Sequence, residues 1–327
     1  KYVQEEIWGE IHEMFRQKPE IEKAYNSMLG MWKAGKVVLN PPTSIRNIVT
    51  NFMLNDFGGL SPTRVDIYTK AFLDYVNRGE YYQLFKKYRG LGTGYYGAEI
   101  RPFLKPFLKA EGTALDKMMS MVGQIVDKPS KIYGAQEDIF KLAKLIHNME
   151  KKMPLDQALI DAEKWVFNYR KVPNSINFLR QSPLGAPFIT FTYKAVPVVA
   201  ETLIKHPFRV GKYYLMYRAL EEMARRQLGW SQEDLDKYHR TLPAYKKPFL
   251  GIAPRTALLP TTFGGKPMEM NVGFYSPFGM LSELQTQAGE GALSGAVSLM
   301  QNPLFTTAMA IGSNKDYLGR DIAPSYA

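Results

Sequence analysis

The chain has 327 residues, 45% of them hydrophobic, with 42 Lys and Arg against 31 Asp and Glu, a net charge of +11 and no cysteine. This length and hydrophobic content suffice to bury a large core, so disorder throughout is excluded. The lack of thiols excludes disulfides, thiolate zinc sites, iron–sulfur clusters and cysteine nucleophiles, and four histidines leave little for an imidazole metal cage.

The chain opens on Lys1 without a charged leader running into an apolar stretch and stops at Ala327 without a tail signal, which reads as a segment of a longer polypeptide. Val3, Ile7, Ile11 and Met14 step at helical intervals, with Glu5, Glu6, Glu10, Glu13 and His12 as the solvated acidic face of that helix. Behind Ser61-Pro62, the spacing of Val65, Tyr68, Phe72 and Tyr75 predicts a second amphipathic helix with those four residues facing a core. Gly92-Thr93-Gly94-Tyr95-Tyr96-Gly97 matches the letters of a dinucleotide-binding turn. It follows a basic, aromatic run instead of an apolar strand, so a flexible linker is expected there.

Ile139, Leu142, Ile146 and Met149 predict a core-facing helix, and Leu155, Leu159, Ala162, Val166 and Tyr169 another behind Pro154. Tyr213, Tyr217, Leu220 and Ala224 mark a helix ending near Gly229, and Ser231 with Asp234 gives a capping start for the next. Thr256–Phe263 and Met268–Phe274, flanking Gly264-Gly265-Lys266-Pro267, predict one hairpin. The 26 glycines and 21 prolines are expected to cut the helices into medium lengths joined by elbows. The fold class is therefore mainly α: a multi-helix segment with one small β-hairpin near 256–274. Soft boundaries give an N-terminal helical part (1–90), a central basic helical part (91–250) and a neutral apolar part (251–327).

No nucleophile elbow, metal-binding spacing or paired carboxylate motif is present. His147 with Glu150, and Asp161 with Glu163, stand isolated. The chain is expected to be no enzyme and to hold no metal or cofactor.

Charge is uneven. Residues 171–250 carry 13 basic and 6 acidic side chains, and 251–327 only 4 and 5. Lys86, Lys87, Arg89, Arg101, Lys105 and Lys109, among Tyr81, Tyr82, Phe85, Tyr88, Phe103 and Phe107, combine cations with stacking rings, as do Lys205, Arg209, Lys212 and Arg218 beside Phe208, Tyr213, Tyr214 and Tyr217. These are the candidate DNA-facing residues, contacting phosphate without sequence preference; the opposing reading is core aromatics under a solvated basic face. Residues 183–204 and the charge-free run 291–314 approach membrane-spanning length. Candidate membrane or subunit contacts are Phe188, Ile189, Phe191, Val198 and Val199 in the first, and Gly291, Gly295, Leu299 and Phe305 in the second. Pro187, Pro197 and Pro303 interrupt both runs, which favours a buried helix or an oligomer contact over a span.

Three islands carry a resemblance: Lys36-Val37-Val38-Leu39-Asn40-Pro41-Pro42-Thr43-Ser44-Ile45-Arg46-Asn47; Lys171-Val172-Pro173-Asn174 leading to Pro187-Phe188-Ile189-Thr190-Phe191-Thr192-Tyr193-Lys194-Ala195-Val196-Pro197; and Asn302-Pro303 with Asn314-Lys315-Asp316-Tyr317-Leu318-Gly319-Arg320-Asp321-Ile322. Together they resemble the helical module of large polyvalent-protein-associated phage polypeptides and the giant internal virion, or ejection, proteins of short-tailed bacteriophages. The resemblance implies a protein held inside the virion, expelled with the genome into the host envelope, and forming a homo-oligomeric ring or tube there. Its implied partners are other ejection, portal or tail proteins, genomic DNA and the host membrane. It supplies no catalytic residue. The alternatives are a nucleic-acid-binding or packaging module with no membrane role, and an accessory domain positioning a catalytic domain elsewhere in a giant polypeptide.

Overall fold

The computed structural model describes residues 20–102, 114–182, 185–243, 246–247, 255–264, 266–277 and 311–314. The expected first helix over Val3–Met14, and most of the charge-free run, lie outside them. The described chain is mainly helical with one two-stranded antiparallel sheet.

Helix α1 spans Glu20–Val37 and α2 spans Pro41–Phe57. Pro41 and Pro42 start α2, where their fixed φ suits the first turn and their missing N–H groups leave no bond unmade. Helix α3 (Val65–Asn77) and α4 (Glu80–Lys87) follow, then a single π-helical turn at Tyr96–Ile100. Helix α5 runs over Ala114–Glu150, 37 residues with Pro129 inside it. That length is the exception to the expected medium helices, since the other described α-helices have 21 residues or fewer. A proline removes one main-chain bond, and a helix packed on both sides of it continues. Pro197 is likewise interior to α8.

Helices α6 (Leu155–Trp165), α7 (Asn174–Gln181), α8 (Ile189–Lys205), α9 (Pro207–Gln227) and α10 (Gln232–Thr241) complete the helical part. Ser231 and Asp234 form a full capping box at the start of α10, each side chain bonding the other's backbone N–H. Strands β1 (Ala257–Phe263) and β2 (Lys266–Met270) pair with Phe263 opposite Lys266, and α11 (Val272–Tyr275) closes the hairpin. The second strand begins two residues earlier than the sequence suggests.

Two large apolar clusters meet α5, one at Val126 and Tyr133 and the other at Leu142, Ala143, Leu145 and Ile146. One joins Ala34, Leu54, Phe57, Tyr95, Ile100, Trp165, Val198 and Val199; the other joins Leu60, Ile67, Ala71, Phe85, Leu142, Ile146, Leu159 and Ala162. A small third cluster of Ala224, Leu235 and Leu258 holds the hairpin against α9 and α10. The core therefore continues across both expected boundaries: α5 packs against α2, α3 and α4 across residue 90, and β1 packs against α9 across residue 250.

Helix α3 turns a different face inward from the expected one. Ile67 and Ala71 are buried against α5, Tyr68 and Tyr75 are half-buried, and Val65 and Phe72 stand 65% and 51% exposed. Both faces obey helical spacing, and the small side chain of Ala71 permits the closer approach to α5.

Candidate functional site

The glycine-rich segment is not a linker. Thr93, Tyr95 and Tyr96 are buried, and α5 holds the turn with a row of ionisable side chains. Asp138 accepts from the Gly92 N–H at 2.9 Å, Glu137 accepts from the Tyr95 N–H at 3.1 Å, and the Lys141 ammonium donates to the Thr93 hydroxyl at 2.7 Å. The Thr93 hydroxyl donates in turn to the Gly90 carbonyl. Gly92 sits at φ +67°, a left-handed conformation that glycine adopts without steric cost. A Cβ on Gly97 would lie 1.9 Å from the Gly92 carbonyl oxygen, so the turn closes only with glycine there.

The row continues down α5. Lys144 donates to the Gly58 carbonyl at 2.7 Å and pairs with Asp161 at 2.8 Å, while Asn148 bonds both Asp161 and the Ala158 carbonyl. Glu137, Lys141, Lys144 and Asn148 are four, three and four residues apart, a single helical face, and all four are buried. This face reaches loop amides and carbonyls that no helix or strand partners, and it fastens the turns at 58–60 and 90–96 into the core.

Beyond the turn, the π-helical segment carries Glu99 into a second buried cluster. Glu99 pairs with Lys33 of α1 at 2.8 Å and with Arg180 of α7 at 3.3 Å, and Arg180 also donates to the Tyr169 carbonyl. One carboxylate thus ties three elements far apart in sequence.

Burial governs the protonation of these groups. It pushes the Glu137 carboxyl up to about 7, against the pull of Lys141, and raises Asp138 as well. It lowers the ammonium groups of Lys33, Lys141 and Lys144. Burial also pushes His147 down to about 4, helped by the positive charges of Lys151 and Lys144. For Glu99 burial acts upward, but Lys33 and Arg180 together outweigh it and hold the carboxyl below the usual range.

A cleft of about 20 Å³ opens beside Glu137, with Asn47, Tyr133, Tyr169 and Phe191 on its walls. That is room for a water molecule, whereas small-molecule pockets typically occupy about 300–1,000 Å³. Among the described residues no three metal-ligating side chains converge. Glu137 is therefore placed to bind and release a proton near neutrality, with space beside it for water and not for a substrate.

The structure divides the candidate DNA-facing residues. Lys86 and Lys87 on the last turn of α4, Arg89 just beyond it, and Arg101 after the π-helical turn are exposed. Lys205 pairs with Glu201, Lys212 with Asp56 and Arg218 with Glu221, and Arg209 donates to the Phe57 carbonyl, so these four already serve the fold. Lys105 and Lys109 lie outside the described residues.

The candidate membrane or subunit contacts on α8 require correction. Val198 and Val199 are buried, Phe188 packs against Trp32 and Tyr95, Phe191 packs against Phe167, and Ile189 is half-buried. This is the inner face of α8. The outer face presents Tyr193, Val196, Leu203 and Ile204, which the sequence does not distinguish because α8 is apolar nearly all round. Gly291, Gly295, Leu299 and Phe305 lie outside the described residues. No helix among the described residues is long and apolar enough to cross a membrane.

The buried row on α5 and the Glu99 cluster escape sequence reading, since charges at helical spacing read as a solvated face. The available signal is that these charges share a helix with Leu142, Ala143, Leu145 and Ile146, which leaves no side of it polar enough for water. Searches against protein-family models, curated proteins and solved structures give no match to this chain.

Proposed function

We propose that this chain is a structural segment of a phage internal virion protein that assembles into a homo-oligomeric ring or tube and helps conduct the genome across the host envelope. The observation that supports assembly is the outer face of α3. Val65, Phe72, Leu73 and Val76 recur there at helical spacing and are all more than half exposed. Apolar side chains aligned on one face of an outer helix call for a partner surface. The setting comes from the sequence resemblance, and the second element is the surplus of exposed cations, which suits passage of a polyanion.

The test is the mass of the purified 327-residue chain in solution, with negative-stain imaging, in the presence and absence of lipid. Closed rings or tubes are expected, and Phe72→Ser with Val76→Ser reduces them to monomers. A wild-type chain that stays monomeric in both conditions overturns the proposal.

A nucleic-acid-binding module without assembly is favoured by one observation: Lys86, Lys87 and Arg89 form no ion pair among the described residues and flank the half-exposed ring of Tyr88. That reading requires monomeric chain to bind DNA with an affinity that falls steeply with salt and disappears when the three cations are neutralised.

A further inference from the structure

Helices α8 and α9 meet at an elbow formed by His206 and Pro207. At its apex Ile204 is 81% and Phe208 90% exposed, with Leu203 beside them half exposed. The apolar surface continues along the outer side of α9 through Leu215, Met216 and Met223. Large side chains this far clear of the fold, on two consecutive helices, have no role in the described core.

The charges around them select the partner. Residues 189–227 carry seven Lys or Arg and three Glu. None of the three glutamates is free: Glu221 is buried against Tyr217 and Arg218, Glu201 is shared by Lys164 and Lys205, and Glu222 by Arg225 and Arg226. Glu201 and Glu222 each face two cations, so one positive charge stays uncompensated at each, and the field outside the elbow is positive. A second copy presenting the same face meets like charge, whereas a layer of anionic headgroups over hydrocarbon matches both the cations and the apolar apex.

We propose that the α8–α9 elbow is a peripheral docking surface for anionic lipid, with Ile204 and Phe208 entering the headgroup and acyl boundary and the exposed cations of Lys205 and Arg226, each sharing one glutamate with a second cation, lying over the phosphates. The elbow dips into one leaflet and does not span it. The inference rests on the assembly reading for its setting alone, because α3 supplies the subunit contact and the elbow supplies the lipid contact.

The experiment is co-sedimentation of the 327-residue chain with vesicles of phosphatidylcholine alone and of an equal mixture of phosphatidylcholine and phosphatidylglycerol. Wild type is expected to pellet with the mixed vesicles, to be released by salt, and to bind phosphatidylcholine at least about tenfold more weakly. Ile204→Ser with Phe208→Ser weakens binding to the mixed vesicles by at least about tenfold, given two large apolar side chains withdrawn from the boundary. Because both side chains are almost wholly exposed, the double variant keeps the circular dichroism spectrum and melting temperature of wild type.

Equal binding to both lipids, unchanged binding by the double variant, or no binding by wild type each overturns the proposal. Self-association without lipid that the double variant abolishes also overturns it, since the elbow's occupant is then a second copy. A monomer that binds the mixed vesicles through Ile204 and Phe208 upholds the elbow and refutes the ring or tube, so the two proposals fail separately.

Discussion

Replacing Glu137 by Gln is expected to change the pH dependence of stability in a defined window. The Glu137 carboxyl titrates near 7 in the fold against 4.5 for an unconstrained glutamate. The folded state therefore prefers the protonated form. The stability this contributes is complete below pH 4.5 and is lost as pH rises to 7, and the gap corresponds to about 3 kcal/mol. His147, lowered to about 4 from 6.5, acts oppositely: its contribution is complete above pH 6.5 and is lost as pH falls to 4. In wild type the two slopes oppose each other between pH 4.5 and 6.5.

Glu137→Gln keeps an acceptor for the Tyr95 N–H and cannot ionise. Urea unfolding followed by circular dichroism at intervals from pH 4 to pH 8 should show the variant gaining on wild type by about 3 kcal/mol across that range. His147→Gln should show the reverse, with stability falling monotonically from pH 4.5 to 7. A difference between Glu137→Gln and wild type that is the same at pH 4.5 and pH 8 would falsify the assignment of Glu137 as a buried neutral acid.

Glu99→Gln strands Lys33 and Arg180 in the core and should cost about 3–5 kcal/mol in chemical denaturation, with Lys33→Met in the same range. Gly97→Ala drives a Cβ against the Gly92 carbonyl and should cost at least about 3 kcal/mol, seen as loss of the cooperative melt. Gly211→Ala, inside α9 with no atom within 4 Å of the new Cβ, should instead stabilise by about 0.5–1 kcal/mol. Ser231→Ala removes the capping box of α10 and should cost about 1 kcal/mol, with equal losses in thermal and urea unfolding.

What the sequence makes legible is local. The Ser231–Asp234 box and the hairpin around 256–274 depend on residues within a few positions of one another, and the structure has both. What it hides depends on distant neighbours. Nothing nearby in sequence discloses Glu99, Thr93 or Asp161 as the partners of Lys33, Lys141 and Lys144. The inner face of α3 was fixed by α5, some seventy residues away, and the inner face of α8 by Trp32, Tyr95 and Phe167. The glycine-rich turn is the clearest case: its composition suggests freedom, and three side chains of α5 remove it.

The buried row on α5 also bears on how the molecule opens. Water can satisfy each of its carboxylates and ammonium groups about as well as the fold does, so lifting the 90–96 turn from α5 costs less than separating an equal area of Leu and Phe. A closure that leaves Lys141 or Lys144 buried and charged without its partner carries a penalty of several kcal/mol. On refolding, closures of this turn that strand an ammonium are thus the ones that water reopens.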